Sequence, residues 1–152
     1  MNTKDKGDIS ELTAILQFKK YGIACLIPYG DNEQYDFVVE INNKFYRVQV
    51  KTGIYRNGVI QLKGYRSTYK KSIGRGRETS NYMGKADIFA VCYENNVWIV
   101  PVLAVGKSGT LFLRIDPPKH GGNNQKNIKW AKDYTFEIQI QKLINGALVL
   151  TE

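Results

Sequence analysis

Asn42-Asn43, flanked by two runs of Val, Ile and aromatic residues, constrains the fold of this chain more than any other feature in it. Asn accepts the left-handed backbone of a two-residue hairpin turn at little cost. Residues 35–41 and 45–52 therefore read as paired antiparallel strands. If Asn42 and Asn43 are the turn residues, Ile41 pairs with Lys44, opposed residue numbers sum to 85, and Asp36 faces Gln49. A turn one residue later gives sums of 87 and sets Asp36 against Lys51. Side chains two apart on a strand share a face, and so do directly opposed ones. In both registers Asp36, Gln49 and Lys51 gather on one side of the hairpin, while Val48 and Val50 turn the other way into a core.

Around this hairpin the pattern is that of an α/β chain. Ile9, Leu12, Ile15 and Leu16 fall at the spacing of an amphipathic helix over residues 8–20, with Asp8 three residues before Glu11 as a start signal and Gly22 as a stop. Residues 23–29 form a short apolar run broken by Pro28. Arg56-Asn57-Gly58 marks a turn into a strand at 59–63, and 87–93 with 97–102 read as a strand pair around Asn95-Asn96. Another strand is expected at 110–115 and a loop at 117–127, where Pro-Pro and Gly-Gly pairs occur. Residues 134–143 fit a strand or a helix, and the polar, basic stretch 64–86 has no clear assignment. With no repeat or linker, the 152 residues read as one domain with a mixed sheet.

Cys25 and Cys92 each lie inside an apolar run, the setting of small buried residues rather than of a disulfide framework, which fits a reducing cytoplasm. The polar N-terminus has no signal-peptide pattern. The longest apolar run, residues 97–105, holds Pro101 and is too short for a helix to span a bilayer, so no membrane partner is expected. A lone histidine, His120, excludes chemistry that needs two. The chain carries 22 Lys and Arg against 14 Asp and Glu, a net charge of +8. Between Lys44 and Lys85 there are eleven bases and one acid, Glu78, so this stretch holds +10 and the remainder −2. Localised positive charge of that size favours a polyanionic partner.

A carboxylate, an amide oxygen and an ammonium at a sheet surface suit a hard divalent cation and a nucleophilic water beside a phosphate. An ordinary cross-strand ion pair between Asp36 and Lys51 explains the same residues. For Glu11 the alternative is a capping box begun by Asp8, and Asp31, Glu33 and Asp87 have structural explanations in a turn and at a strand start.

Tyr35-Asp36, twelve residues, then Gln49-Val50-Lys51, within the longer string from Pro28-Tyr29-Gly30-Asp31 to Lys51-Thr52, resembles the PD-(D/E)XK nuclease signature, and Lys6-Gly7 and Glu11 match as well. The likeness runs over roughly residues 6–102 and is greatest to the endonucleases encoded by bacterial group I introns. It implies a restriction-endonuclease-like core, a mixed β-sheet flanked by helices, with 1–152 as one nuclease domain and 103–152 extending its core. It implies hydrolysis of DNA phosphodiesters with Mg²⁺, or Mn²⁺ in its place. Catalytic residues would be Glu11, Asp36, Gln49 and Lys51, and the metal ligands Glu11, Asp36, Gln49 and the backbone carbonyl of Val50. Gln49 departs from the pattern, which has Asp or Glu there, and the lost charge implies fewer or weaker ions or a dead site.

The basic stretch interleaves cations with Tyr65, Tyr69 and glycines, an arrangement suited to DNA phosphates and guanine edges. The candidates are Arg56, Lys63, Arg66, Lys70, Lys71, Arg75, Arg77 and Lys85. Gly53-Ile54-Tyr55 spells half of another nuclease signature, but its second half is missing. The expected activity is a homing endonuclease that cuts double-stranded DNA at a long target. Cutting two strands with one site per chain requires a homo-oligomer, a dimer or a tetramer. The alternatives are a Holliday-junction resolvase and a non-catalytic DNA-binding protein with a degenerate site.

Overall fold

Helix α1 spans Thr3–Lys20, and the Oδ1 of Asn2 caps it by accepting the N–H of Asp5 at 2.8 Å. The computed structural model describes residues 1–70, 76–120 and 128–150, with the backbone alone for Tyr69, Lys70 and Arg77. The helix starts five residues before the predicted Asp8. Asp8 and Glu11 therefore lie inside it, and no capping box occupies Glu11. Its end is as predicted: Gly22 takes φ +70°, its N–H bonds the Lys19 carbonyl at 2.9 Å, and that of Ile23 reaches Phe18 at 3.1 Å.

Of the predicted apolar stripe of α1, Ile15 packs half-buried against the core and the rest is turned outward. Ile9, Leu12 and Leu16 are 48%, 67% and 55% exposed, and the buried residues are Ser10, Ala14 and Phe18. The reason is close packing. The helix backbone approaches the sheet so nearly that the Cys92 thiol donates to the Ser10 carbonyl at 3.3 Å, and only small side chains fit at the two middle positions.

After α1 the chain forms β1 (Ala24–Leu26), β2 (Phe37–Ile41), β3 (Lys44–Thr52), β4 (Ile54–Arg56), β5 (Val59–Lys63), β6 (Tyr65–Lys70), β7 (Gly76–Asn81), β8 (Ile88–Tyr93) and β9 (Asn96–Pro101). Helix α2 (Val102–Val105), β10 (Thr110–Arg114), β11 (Lys129–Trp130) and α3 (Phe136–Ile144) complete it. The ambiguous segment 134–143 is thus mostly helix, burying Phe136, Ile140 and Leu143 along one side. Residues 64–86, unassigned by pattern, hold the antiparallel ribbon of β6 and β7.

The main sheet has the order β1-β2-β3-β8-β9, antiparallel except for the β3–β8 pair, which makes it mixed. Asn42 and Asn43 form the hairpin turn at φ 52° and 59°, Ile41 lies opposite Lys44, and the register is the one with sums of 85. Asn57 and Gly58 turn β4 into β5 in the same way, at φ 48° and 80°. The β8–β9 turn uses Glu94 and Asn95, one residue earlier than predicted, because Tyr93 pairs with Asn96. That register ends β9 at Pro101, which has no N–H to give to a longer ladder.

Alternation along the strands divides the interior in two. Val48, Val50, Ile88, Ala90 and Ile99 face α1 and α3, packing on Phe18, Phe37, Phe136 and Leu143. Phe89, Val91, Trp98 and Val100 face the other way, onto Ile60, Leu62, Leu111 and Leu113 of a second sheet ordered β11-β10-β5-β4. Helices α1 and α3 cover one face of the mixed sheet, and the second sheet with α2 covers the other. The segment after Val102 takes part in both cores through α3 and β10. Cys92 is buried, Cys25 is half-buried, and both are free thiols. Among the described residues no helix is long and apolar enough to cross a membrane.

Candidate active site and nucleic-acid interface

Strand β2 begins at Phe37, so β3 outruns it, and the site candidates collect where the ladder stops. The N–H of Asp36 makes the last strand-like bond, to the Val48 carbonyl at 2.8 Å. The next donor on that edge is the N–H of Val50. It bonds the Oδ2 of Asp36 at 2.6 Å, and the Nε2 of Gln49 donates to the same oxygen at 2.7 Å. The Gln49 amide also donates to the Val50 carbonyl at 3.2 Å. Burial pushes the Asp36 carboxyl above its ordinary value, opposed by the Val50 N–H, the Lys51 charge and the Gln49 amide.

Lys51 projects beside this pair, without an ion-pair contact to Asp36. Its Nζ donates to the Tyr82 hydroxyl at 3.0 Å and lies 4.5 Å from the centre of the Tyr82 ring. Burial lowers Lys51 from 10.5 to about 8, Asp36 opposes that, and Arg66 adds to it. Tyr82 is 5% exposed and packs edge-on against Phe89 at 5.4 Å, which fixes the phenol under the ammonium. Sequence reasoning did not single out Tyr82. It lies in the unassigned stretch and no local pattern marks it.

Glu11 reaches the same region from α1. Its neighbour Ser10 shares a hydrogen bond with Thr52 at 2.8 Å, which pins this turn of the helix to the end of β3. Partial burial raises the Glu11 carboxyl, and the charges of Asp36 and Asp8 add to the effect. A cavity of about 240 Å³ lies between, lined by Glu11 and Asp36 and also by Asp31 and Glu33. Those two acids are exposed, as a turn requires, yet they border the cavity. Asp87 is structural: it accepts from the Arg47 backbone N–H at 2.7 Å and pairs with its guanidinium at 2.9 Å.

The four described donors, Asp36, Glu11, the Gln49 amide oxygen and the Val50 carbonyl, are all hard oxygens, the set a hard divalent cation takes. Among the described residues no three His, Cys, Asp or Glu gather as a metal cluster.

Of the predicted DNA contacts, Arg56, Lys63 and Arg66 are exposed and Lys85 is half-buried. Lys70 and Arg77 lie on β6 and β7, Lys70 opposite Gly76 and Arg77 opposite Tyr69. Lys71 and Arg75 lie outside the described residues.

Residues 1–137 match the model of the PD-(D/E)XK endonuclease family. The chain belongs to that family. Members of the PD-(D/E)XK family typically use divalent metals. The fold of this PD-(D/E)XK chain is similar to that of a bacterial homing endonuclease, I-Ssp6803I, with a TM-score of 0.72 over 98% of this chain and 100% of that one, at 22% identity. No curated relative matches the chain.

Proposed function

We propose that the chain is a homing endonuclease, hydrolysing phosphodiesters in double-stranded DNA at a long specific target with Mg²⁺, for which Mn²⁺ substitutes. The observation that carries this reading is the cluster of Asp36, Gln49 and Lys51 on a fold of the endonuclease family, with Glu11 across the cavity. Asp36, Glu11, the Gln49 amide oxygen and the Val50 carbonyl would hold the cation. Bound there, it would supply a Lewis acid that activates water and takes up charge on the phosphate. The Lys51 ammonium stabilises negative charge on the reacting phosphate, and a value near 8 keeps it mostly protonated at neutral pH. The Gln49 amide N–H donates to Asp36 at 2.7 Å. A half-turn of the amide presents its oxygen instead.

Double-strand cutting by a chain with one such site calls for two or four copies. The outward stripe of Ile9, Leu12 and Leu16 on α1, next to the turn that carries Glu11, supports self-association there. Residues 1–152 act as one nuclease unit in this reading, with 103–152 completing its cores. The ribbon of β6 and β7 has the width of an element that enters a major groove, and with Arg56, Lys63, Arg66 and Lys85 it supplies the DNA contacts.

Gln49 also favours a second reading, a DNA-binding protein without catalysis, because its amide already satisfies Asp36. The deciding experiment incubates plasmid carrying a candidate insertion sequence, and a synthetic four-way junction, in Mg²⁺ and in EDTA. Metal-dependent cutting of the plasmid that Lys51→Ala abolishes, with DNA affinity retained, is the expected result. Cutting of the junction alone makes the chain a resolvase. Binding with no cutting of either DNA leaves only the non-catalytic reading.

A further inference from the structure

A second cleft, of about 530 Å³, opens at the far end of β8 and β9, between the main sheet and the second one. Its walls are aromatic: Tyr55, Tyr93, Trp98 and Trp130 all line it. Tyr55 and Tyr93 stack with ring centres 5.9 Å apart and planes 28° from parallel. The Tyr55 hydroxyl is tied to the Oδ2 of Asp116 at 2.7 Å, so that wall is set before any ligand arrives. Trp98 is 8% exposed and is held by the core beneath.

Two cations border these walls. Lys132 lies 5.7 Å from the centre of the Trp130 ring. The Arg114 guanidinium has, among the described residues, one long bond of 3.4 Å to the Asp116 carbonyl and no carboxylate partner. Glu94 is the one acid in the lining, so the cleft is net positive. Flat, pre-set aromatic faces edged by two cations that have no carboxylate partner among the described residues suit a planar ring that carries an anionic group. An extended peptide would meet the aromatic walls but leave both cations unmatched.

The geometry points to a binding site for a single unpaired nucleotide, its base against the aromatic walls and its phosphate on Arg114 and Lys132. The cleft is not remote from the candidate active site. Lys51, Val91 and Trp98 form one row across the main sheet, and Tyr55 follows Lys51 by four residues. Four residues span at most about 14 Å, or about four nucleotide steps along a strand. A base drawn out of the stack close to the cut would be held there. The same chemistry is offered by a free mononucleotide. The DNA source rests on the endonuclease reading, whereas affinity for a nucleotide does not.

Both tryptophans of the chain line this cleft, so intrinsic fluorescence reports on it directly. The wild-type protein in EDTA is titrated with deoxyadenosine monophosphate, deoxyadenosine, a matched duplex and the same duplex with one unpaired adenine. Saturable quenching by the monophosphate, about tenfold weaker with the nucleoside, is expected. The bulged duplex should bind about tenfold more tightly than the matched one, a ratio within the range of one stacked base. Arg114→Gln should remove the preference for the phosphate, and Trp130→Ala the preference for the bulge, with far-UV circular dichroism unchanged. Monophosphate binding without bulge preference assigns the cleft to free nucleotides, and bulge preference without it assigns the cleft to DNA. Neither response in the wild type, or both unaltered in a folded Arg114→Gln variant, overturns the proposal. All arms read binding without metal, so a protein that passes them and never cuts DNA overturns the catalytic reading alone.

Discussion

Replacing Lys51 with Met should make the protein more stable while it abolishes cleavage, and the gain should vanish in alkali. Burial takes the ammonium from 10.5 to about 8. At 1.36 kcal/mol per pH unit, this corresponds to about 3 kcal/mol against the charged form in the folded state. Below pH 8 the folded and unfolded chains both hold the proton, and the folded one bears the whole penalty. Between about 8 and 10.5 the folded chain has released a proton that the unfolded chain keeps, so the contribution of Lys51 makes stability rise with pH. Above 10.5 neither is charged and the penalty is gone.

Met keeps an unbranched apolar stem and has no such dependence. Its own loss is the bond to the Tyr82 hydroxyl, about 1 kcal/mol. The variant should therefore be about 2 kcal/mol more stable at pH 7 and about 1 kcal/mol less stable at pH 11. Urea unfolding in EDTA, followed by tryptophan fluorescence, measures both; a difference of that size moves the midpoint at pH 7 by about 1 M. A Met variant no more stable than wild type at pH 7, or a difference that does not change with pH, would refute the argument.

Three further outcomes follow from the same contacts. Gln49→Glu sets a second carboxylate 2.7 Å from Asp36, so thermal unfolding in EDTA should show a loss of about 1–3 kcal/mol that Mg²⁺ restores. Tyr82→Phe removes the hydroxyl that positions Lys51. It should lower the single-turnover cleavage rate by roughly tenfold with DNA affinity unchanged, and an equal loss in both would point to a structural role instead. Phe18→Ala empties a site with no exposure, where Phe37 and Phe136 pack at 5.7 and 4.9 Å, and should cost about 3–5 kcal/mol by urea titration.

Features encoded by adjacent residues were legible in the sequence, and features encoded by distant ones were not. Asn42-Asn43 specify their own turn, and with the turn come the register, the inward valines and the grouping of Asp36, Gln49 and Lys51. The ribbon of β6 and β7 could not be read in this way. It pairs Ser67 with Thr79 and Thr68 with Glu78, so it carries no apolar alternation. The α1 stripe misled for a complementary reason. The buried side is chosen by how near the helix backbone can come to the sheet, and Ser10 and Ala14 win that contest over the larger Leu12 and Leu16. Tyr82 and the aromatic cleft are assembled from residues that only the tertiary fold brings together.

The Val50 N–H has a use beyond the arrangement of the site. It is a backbone donor on a central strand whose acceptor is a side-chain carboxylate and not a neighbouring strand. Its proton resonance should therefore move with the charge on Asp36, in titration and on addition of a cation, while amides such as that of Val91 stay where they are. The same bond determines which inactive variant is informative. Asp36→Ala leaves a strand amide unpaired and confounds lost chemistry with a frayed edge. Asp36→Asn keeps an oxygen for that amide and removes only the charge.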